Sequence, residues 1–314
     1  MGFGLGVVVL GVGGPAQAEV IPAQATPPSP QYATRNIACV ERVWCTVAQA
    51  VGGEMVASTA LIQTPGIDPH DFRASPMQAR EIAQADTVLL NGAGMDDWAL
   101  PMTHHGQGVF VAATLGGWRR GQDPHLFFDP ETVARVAKAF AGWLEAQLPA
   151  RRQQIAGQLD DFLHQVDEAK EGVEKLRKRF RGAPVAEIEP VAQRLLDGAG
   201  LVTVDRPWAM GIMTGSGVTP RETAALMNAI NHRRIRLLVN NPADSSAQTV
   251  AVAARARAMA IPLVVIGENP PAGVGWGEWL EVTTASLDQA LRDSAELRSL
   301  DLQIPDTDTG MGHH

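Results

Sequence analysis

The chain has 314 residues, enough for two ordinary domains with cores of their own. Hydrophobic residues make up 45% and charged residues 19%, a globular composition, and the net charge of −8 argues against a polyanion as main partner. No long basic run and no nucleic-acid motif is present, so no nucleic-acid partner is expected.

Residues 1–18 (MGFGLGVVVLGVGGPAQA) are apolar and glycine-rich and end in Ala16-Gln17-Ala18, the small-residue pattern of a signal-peptide cleavage site. The stretch is too short to span a bilayer comfortably. No Lys or Arg precedes Arg35, so the basic segment that normally opens such a signal is missing, and a buried apolar strand is the alternative. Residues 19–34 (EVIPAQATPPSPQYAT) have a linker composition. Cys39 and Cys45 are the two cysteines. In an exported chain an even count suggests a disulfide; two buried thiols are the other option, since spacing does not give geometry.

Folding is expected to start near Arg35. NIACV predicts a strand, with a helix from about Glu41 to Val51 stopped by Gly52-Gly53. VASTALIQ predicts a second strand from its β-branched residues. Ser75-Pro76 opens a helix, with Ser as N-cap and Pro in the first turn, and DTVLLNGAG is a buried strand ending in glycines. Residues 129–148 read as a helix capped by Asp129. Ile155, Leu159, Phe162, Val166, Ala169, Val173, Leu176 and Phe180 then recur every three or four residues, one apolar stripe along a helix over 150–180. Such a helix is about 45 Å long at 1.5 Å per residue, enough to run from one lobe to another.

Strand and helix alternation then resumes: a strand at GAPVAEIEP, a helix at PVAQRLLDGAG and a strand at LVTVD. A helix follows, opened by Thr219-Pro220, then a strand at IRLLVNN, a helix near 245–260, a strand at IPLVVIGE and a helix at SLDQALRDSAEL. The expected fold is α/β, with two parallel-sheet lobes joined by a long rigid helix. The expected layout is a signal peptide over 1–18, a linker over 19–34, a first lobe over 35–148, the linking helix over 149–180, a second lobe over 181–305 and a disordered tail over 306–314. No repeat of 20–50 residues is visible in the sequence.

Asp-Pro-His occurs twice, at 68–70 and 123–125, in a chain with eight histidines. Proline restrains its own φ and pushes the preceding residue to an extended conformation, so each His stands on a stiff loop. His70 and His125 both fall at element ends, where α/β lobes place ligands; they are two metal ligands or two surface histidines. His104 and His105 lie in a polar loop, His164 falls off the apolar stripe, and His232 is at a helix end. Carboxylates that follow strands are the candidate partners: Glu187, Glu189, Asp244 and Glu268, each of which has the plainer reading of a helix cap or a solvated acid. Met213-Thr214-Gly215-Ser216-Gly217 reads as a turn, and neither a phosphate-binding loop nor a nucleophile elbow is present.

The order of motifs AVGGE, TPGIDPHDFRASPMQAREIAQADTVLLNGAGMDDW, DPHLFFDPETVARVAKAF and the long amphipathic helix resembles the cluster A-I solute-binding proteins of bacterial ABC transporters for zinc and manganese. The resemblance spans about Ile37 to Leu287. It implies a periplasmic monomer that carries Zn²⁺ or Mn²⁺ between its lobes and delivers the ion to an ABC permease of the inner membrane, without being an enzyme. It also implies four ligand positions. The first two fall on His70 and His125. The third, about a dozen residues before a Gly-Leu pair, falls on Glu189 ahead of Gly200-Leu201. The fourth is acidic and fits Glu268, with Asp244 and Glu278 still open. The chain departs from the pattern at Pro190, in having Glu where Asp is usual at the fourth position, and in lacking a long His-rich loop. Two alternatives remain: a secreted metal-dependent hydrolase, for which Glu187 is the one candidate base, and a metallochaperone or adhesin without a transporter.

Overall fold

The computed structural model describes residues 34–303 apart from 64–66, 68 and 71, with side chains up to residue 296. The proposed signal, most of the linker and the C-terminal tail lie outside the described residues.

The first lobe contains β1 (Arg35–Glu41), α1 (Arg42–Gly52), β2 (Val56–Ile62), α2 (Pro76–Gln84), β3 (Thr87–Leu90), β4 (Gly108–Val111), α3 (Ala112–Gly116) and α4 (Pro130–Gln147). Its four strands are parallel, in the order β2-β1-β3-β4. The N-caps read from sequence are made. Ser75 and Gln78 form a reciprocal capping box on α2, and Asp129 accepts from Glu131 N–H at the start of α4.

A single turn at Pro149–Arg151 leads into α5 (Arg152–Phe180), 29 residues or about 44 Å of helix. Ile155, Phe162, Val166, Ala169 and Leu176 of its stripe are buried. The basic Arg177, Lys178 and Arg179 in its last turn suit the negative end of the helix dipole.

The second lobe follows with β5 (Pro184–Glu187), α6 (Gln193–Gly198), β6 (Val202–Thr203), α7 (Arg206–Met213), α8 (Pro220–Asn231), β7 (Leu238–Asn240), α9 (Ala247–Ala258), β8 (Leu263–Val265) and α10 (Trp276–Gln303). Its parallel strands run β6-β5-β7-β8. This is the connectivity of the first sheet used again, although no repeat is legible in the sequence. In each sheet the order reverses direction at the first strand, which places a crevice at its carboxyl end, between β1 and β3 and between β5 and β7.

The last helix differs from the sequence expectation. It begins at Trp276, ten residues before Ser286, and packs along α5, where Arg179 pairs with Asp288 at 2.8 Å. Gly277 obscures this start; it packs close to α5, where a Cβ would stand 2.8 Å from the Gln165 side chain. β4, α3 and α7 also carry too little periodicity to be read in advance. One apolar cluster runs through both lobes, from Ile37 and Trp44 through Phe162 and Val166 to Leu196, Trp276 and Leu291.

Cys39 in β1 and Cys45 on α1 form a disulfide, with Cα atoms 5.4 Å apart. Both are buried. Of the two options open from sequence, the bond is the one found.

Candidate metal centre

His125 is the best-defined group of the centre. Its ring is fully buried, and its Nδ1 lies 2.7 Å from Asp123 Oδ1, the acid of its own Asp-Pro-His triplet. Phe127 packs edge-on against the ring, and Trp44, Phe128 and Trp279 surround Phe127. Nε2 is buried without a hydrogen-bond partner. An imidazole anchored through one nitrogen, with the other left over, is the arrangement a metal-ligating histidine adopts. Burial pushes this imidazole down, but the Asp123 carboxylate, helped by Glu268 and Glu189, outweighs burial and holds its pKa up at about 9.

The Asn91-Gly92 turn after β3 positions the loop. Asn91 Nδ2 donates to the Pro124 carbonyl at 2.8 Å, just before His125. Gly92 has φ +72°, and a Cβ there would stand 2.6 Å from Val111. Below this turn lies a buried acid pair, Glu41 from the end of β1 and Asp96. Asp96 accepts from Asn91 N–H at 2.8 Å and Gly92 N–H at 2.5 Å. Burial and then the Asp96 charge push the Glu41 pKa well up, and burial raises that of Asp96 to about 6.

His70 is half-buried, with its ring centroid 6.2 Å from that of His125 and the planes nearly perpendicular. Asp68 and Asp71 beside it lie outside the described residues. From the second lobe come Glu189, two residues past β5, and Glu268, three past β8. Both are buried, and one amide bridges them: Asn241 Nδ2, just past β7, donates to Glu189 Oε2 at 2.6 Å and to Glu268 Oε1 at 3.1 Å. Asn241 Oδ1 accepts from Ala243 N–H, which fixes the amide's orientation. The two carboxylates therefore stand at the carboxyl ends of strands around the second sheet's crevice. An open cleft of about 640 Å³ reaches the site past His70 and Glu189, with the turn at 214–217 on its rim.

Of the other candidates, Asp244 lines the same cleft as His70 and Glu189. Asp244 accepts from Ser246 N–H and Thr249 Oγ1 ahead of α9, the cap-like role. Glu278 is exposed on the first turn of α10 and lines a groove against α5. Glu187, the possible base of a hydrolase, is fully buried and accepts from Ala192 N–H at the start of α6; burial raises its pKa well above the usual carboxylate range. His104 and His105 sit in an exposed turn, His164 is exposed on α5, and His232 closes α8.

Sequence reasoning missed the groups that hold the candidates in place. Asp123 Oδ2 accepts from Arg194 N–H at 3.0 Å, and its carbonyl accepts from the Arg194 guanidinium, so the acid that orients His125 also ties it to the second lobe. Trp276 Nε1 donates to the Phe127 carbonyl at 2.8 Å. Among the described residues, no three His, Cys, Asp or Glu side chains are gathered closely enough to hold an ion as they stand. His70 and His125 adjoin in one lobe, while Asn241 spans the two carboxylates of the other.

The zinc-uptake complex component A family, described as periplasmic, matches residues 37–290, and the chain belongs to that family. It is similar to the manganese-binding lipoprotein MntA of Bacillus subtilis, 30% identical over 146 residues, which are 43% of this chain and 45% of that relative. The chain thus spans less than half the length of this curated relative. Its fold is similar to that of the periplasmic zinc-binding protein TroA from Treponema pallidum, with TM-score 0.66 and 16% identity over 83% of this chain and 99% of that one. It is also similar to the solute-binding protein FpvC of Pseudomonas aeruginosa, solved with Mn²⁺, with TM-score 0.66 and 17% identity over 84% and 99%. At these identities the solved structures speak to the fold, and they share the two-lobed α/β architecture seen here.

Proposed function

We propose that the chain is an exported receptor that captures one divalent transition metal ion, Zn²⁺ or Mn²⁺, between its lobes and hands it to an ABC permease. His70, His125, Glu189 and Glu268 are the proposed ligands. Residues 35–148 form the first lobe, 149–180 the linking helix and 181–305 the second lobe, behind a signal peptide and a linker. The receptor works as a monomer and not as an enzyme.

The observation that carries this reading is His125, whose Nδ1 is fixed by Asp123 and whose buried Nε2 has no hydrogen-bond partner, with His70 beside it and two buried carboxylates across the cleft. Among the fourth-ligand candidates, Glu268 alone shares a partner with Glu189. Two imidazoles and two carboxylates make a mixed nitrogen and oxygen set that suits Mn²⁺ as well as Zn²⁺. The zinc and manganese in the names of the relatives support the same pair of ions. Asn241 holds one oxygen of each carboxylate, as a hydrogen-bonding partner of ligating carboxylates would, and leaves each with further lone pairs for the ion.

A competition titration of chelator-stripped protein with Zn²⁺ and Mn²⁺ tests the reading. Wild type binds one ion tightly, and His70→Ala and Glu189→Ala both weaken it. Asp123→Ala weakens it about 10–100-fold, the usual cost of removing the partner of a ligating histidine. Binding unchanged in His70→Ala would overturn the interlobe site.

A further inference from the structure

Helix α1 starts without a cap of its own. Its N-cap residue, Glu41, is fully buried and makes no side-chain capping bond. The first N–H groups of a helix need acceptors from outside the helix. One comes from the other lobe: Asn269 Oδ1 accepts from Val43 N–H at 3.1 Å, across 226 residues of sequence. The neighbouring Arg42 reinforces the contact. Its guanidinium donates to the Pro270 carbonyl at 3.3 Å and also to the Gln63 carbonyl, just past β2 on the chain that leads to His70.

Both acceptors in the second lobe follow Glu268 directly in sequence. The receiving surface is restrained: the Cys39–Cys45 disulfide brackets the β1–α1 turn, and Glu41 within that turn is fully buried. A side chain that caps the helix can therefore stay docked only while the loop after β8 keeps its place against the first lobe.

We propose that Asn269 is a positioning residue for the metal site: docked on the N-terminus of α1 it holds Glu268 against the first lobe, and its undocking sets how fast the ion leaves. The inference rests on the receptor reading above and adds to it a cross-lobe latch outside the ligand set. Because the latch is one hydrogen bond to a helix end, with the Arg42 contacts beside it, it can open locally while the lobes stay together.

The test is stopped-flow release of bound Zn²⁺, and separately of Mn²⁺, into excess chelator from the full chain. Asn269→Ala is expected to speed release about tenfold, in line with the loss of a helix N-cap. The thermal midpoint of the metal-free protein is expected to stay within a few degrees of wild type. Asn269→Asp keeps an oxygen acceptor for Val43 N–H and is expected to restore slow release. A release rate in Asn269→Ala within twofold of wild type overturns the latch and leaves the receptor reading standing. Equal acceleration in both variants also overturns it, because the loop would then be damaged irrespective of the cap. A wild-type protein that binds neither ion overturns the receptor reading, and the latch with it.

Discussion

Asp123 holds two residues at once, His125 of its own loop and Arg194 of the second lobe. Its carboxylate holds the His125 ring and the Arg194 backbone N–H, and its carbonyl takes the Arg194 guanidinium. The triplet Asp-Pro-His is therefore an orienting acid, a stiffener and a ligand candidate in one short loop. The two histidines were legible because a rare residue recurred in the same setting. Asn241 and Arg194 were not, because their partners lie 27 to 71 residues away in sequence and leave no local pattern. Asp205 yields a prediction at this scale. It accepts from Glu187 N–H, and burial pushes its pKa up to about 7 from an ordinary 3.8. The folded state thus holds a proton that the unfolded chain gives up. The contribution to stability is complete below about pH 3.8 and is lost as pH rises through about 7. The melting temperature of metal-free wild type is expected to fall between pH 5 and pH 8, and the fall is expected to be shallower in Asp205→Asn. Equal slopes in a differential scanning series would refute the assignment.

Helices with capping residues and helices with long stripes were the most legible elements. Ser75, Asp129 and Thr219 all cap where read, since a cap is a local hydrogen bond between neighbours. Helix α1 has the opposite character: its start depends on a disulfide, a buried acid pair and a residue from the other lobe. Closing the short loop from Cys39 to Cys45 is worth about 2 kcal/mol by the chain-entropy relation. The Cys39→Ala, Cys45→Ala double variant is therefore expected to lose roughly that much in urea unfolding. An unchanged midpoint would show that packing alone holds the turn. The start of α10 was read late because Gly277 and the nearby prolines look like a loop. In the fold the glycine sits where α10 approaches Gln165 of α5 closely.

Across the whole molecule the lobes are joined by more than the linking helix. α10 lies along α5, a single apolar cluster passes through both lobes, and Arg194, Trp276, Asn269 and Arg42 make cross-lobe hydrogen bonds. Wide hinge opening would expose that core, so ion entry and exit are expected to proceed through local loop motion. For a compact chain of this length the radius of gyration is about 20 Å. Small-angle scattering is expected to show a change on metal binding of less than about 1 Å, within the frame of local motion. A larger compaction would mean that the lobes swing as rigid bodies.

The sequence by itself determined the alternation of strands and helices, the two-lobed plan, the long apolar stripe of α5 and the paired histidines, because each is written in the spacing of neighbouring residues. Only the tertiary structure decided that the two sheets share one strand order, that Cys39 and Cys45 bond, that Asn241 bridges Glu189 and Glu268, and that Asn269 caps a helix of the opposite lobe. These depend on which distant segments meet. That is settled by burial of the shared core and by the need of each buried polar group for a partner, and neither leaves a local mark in the chain.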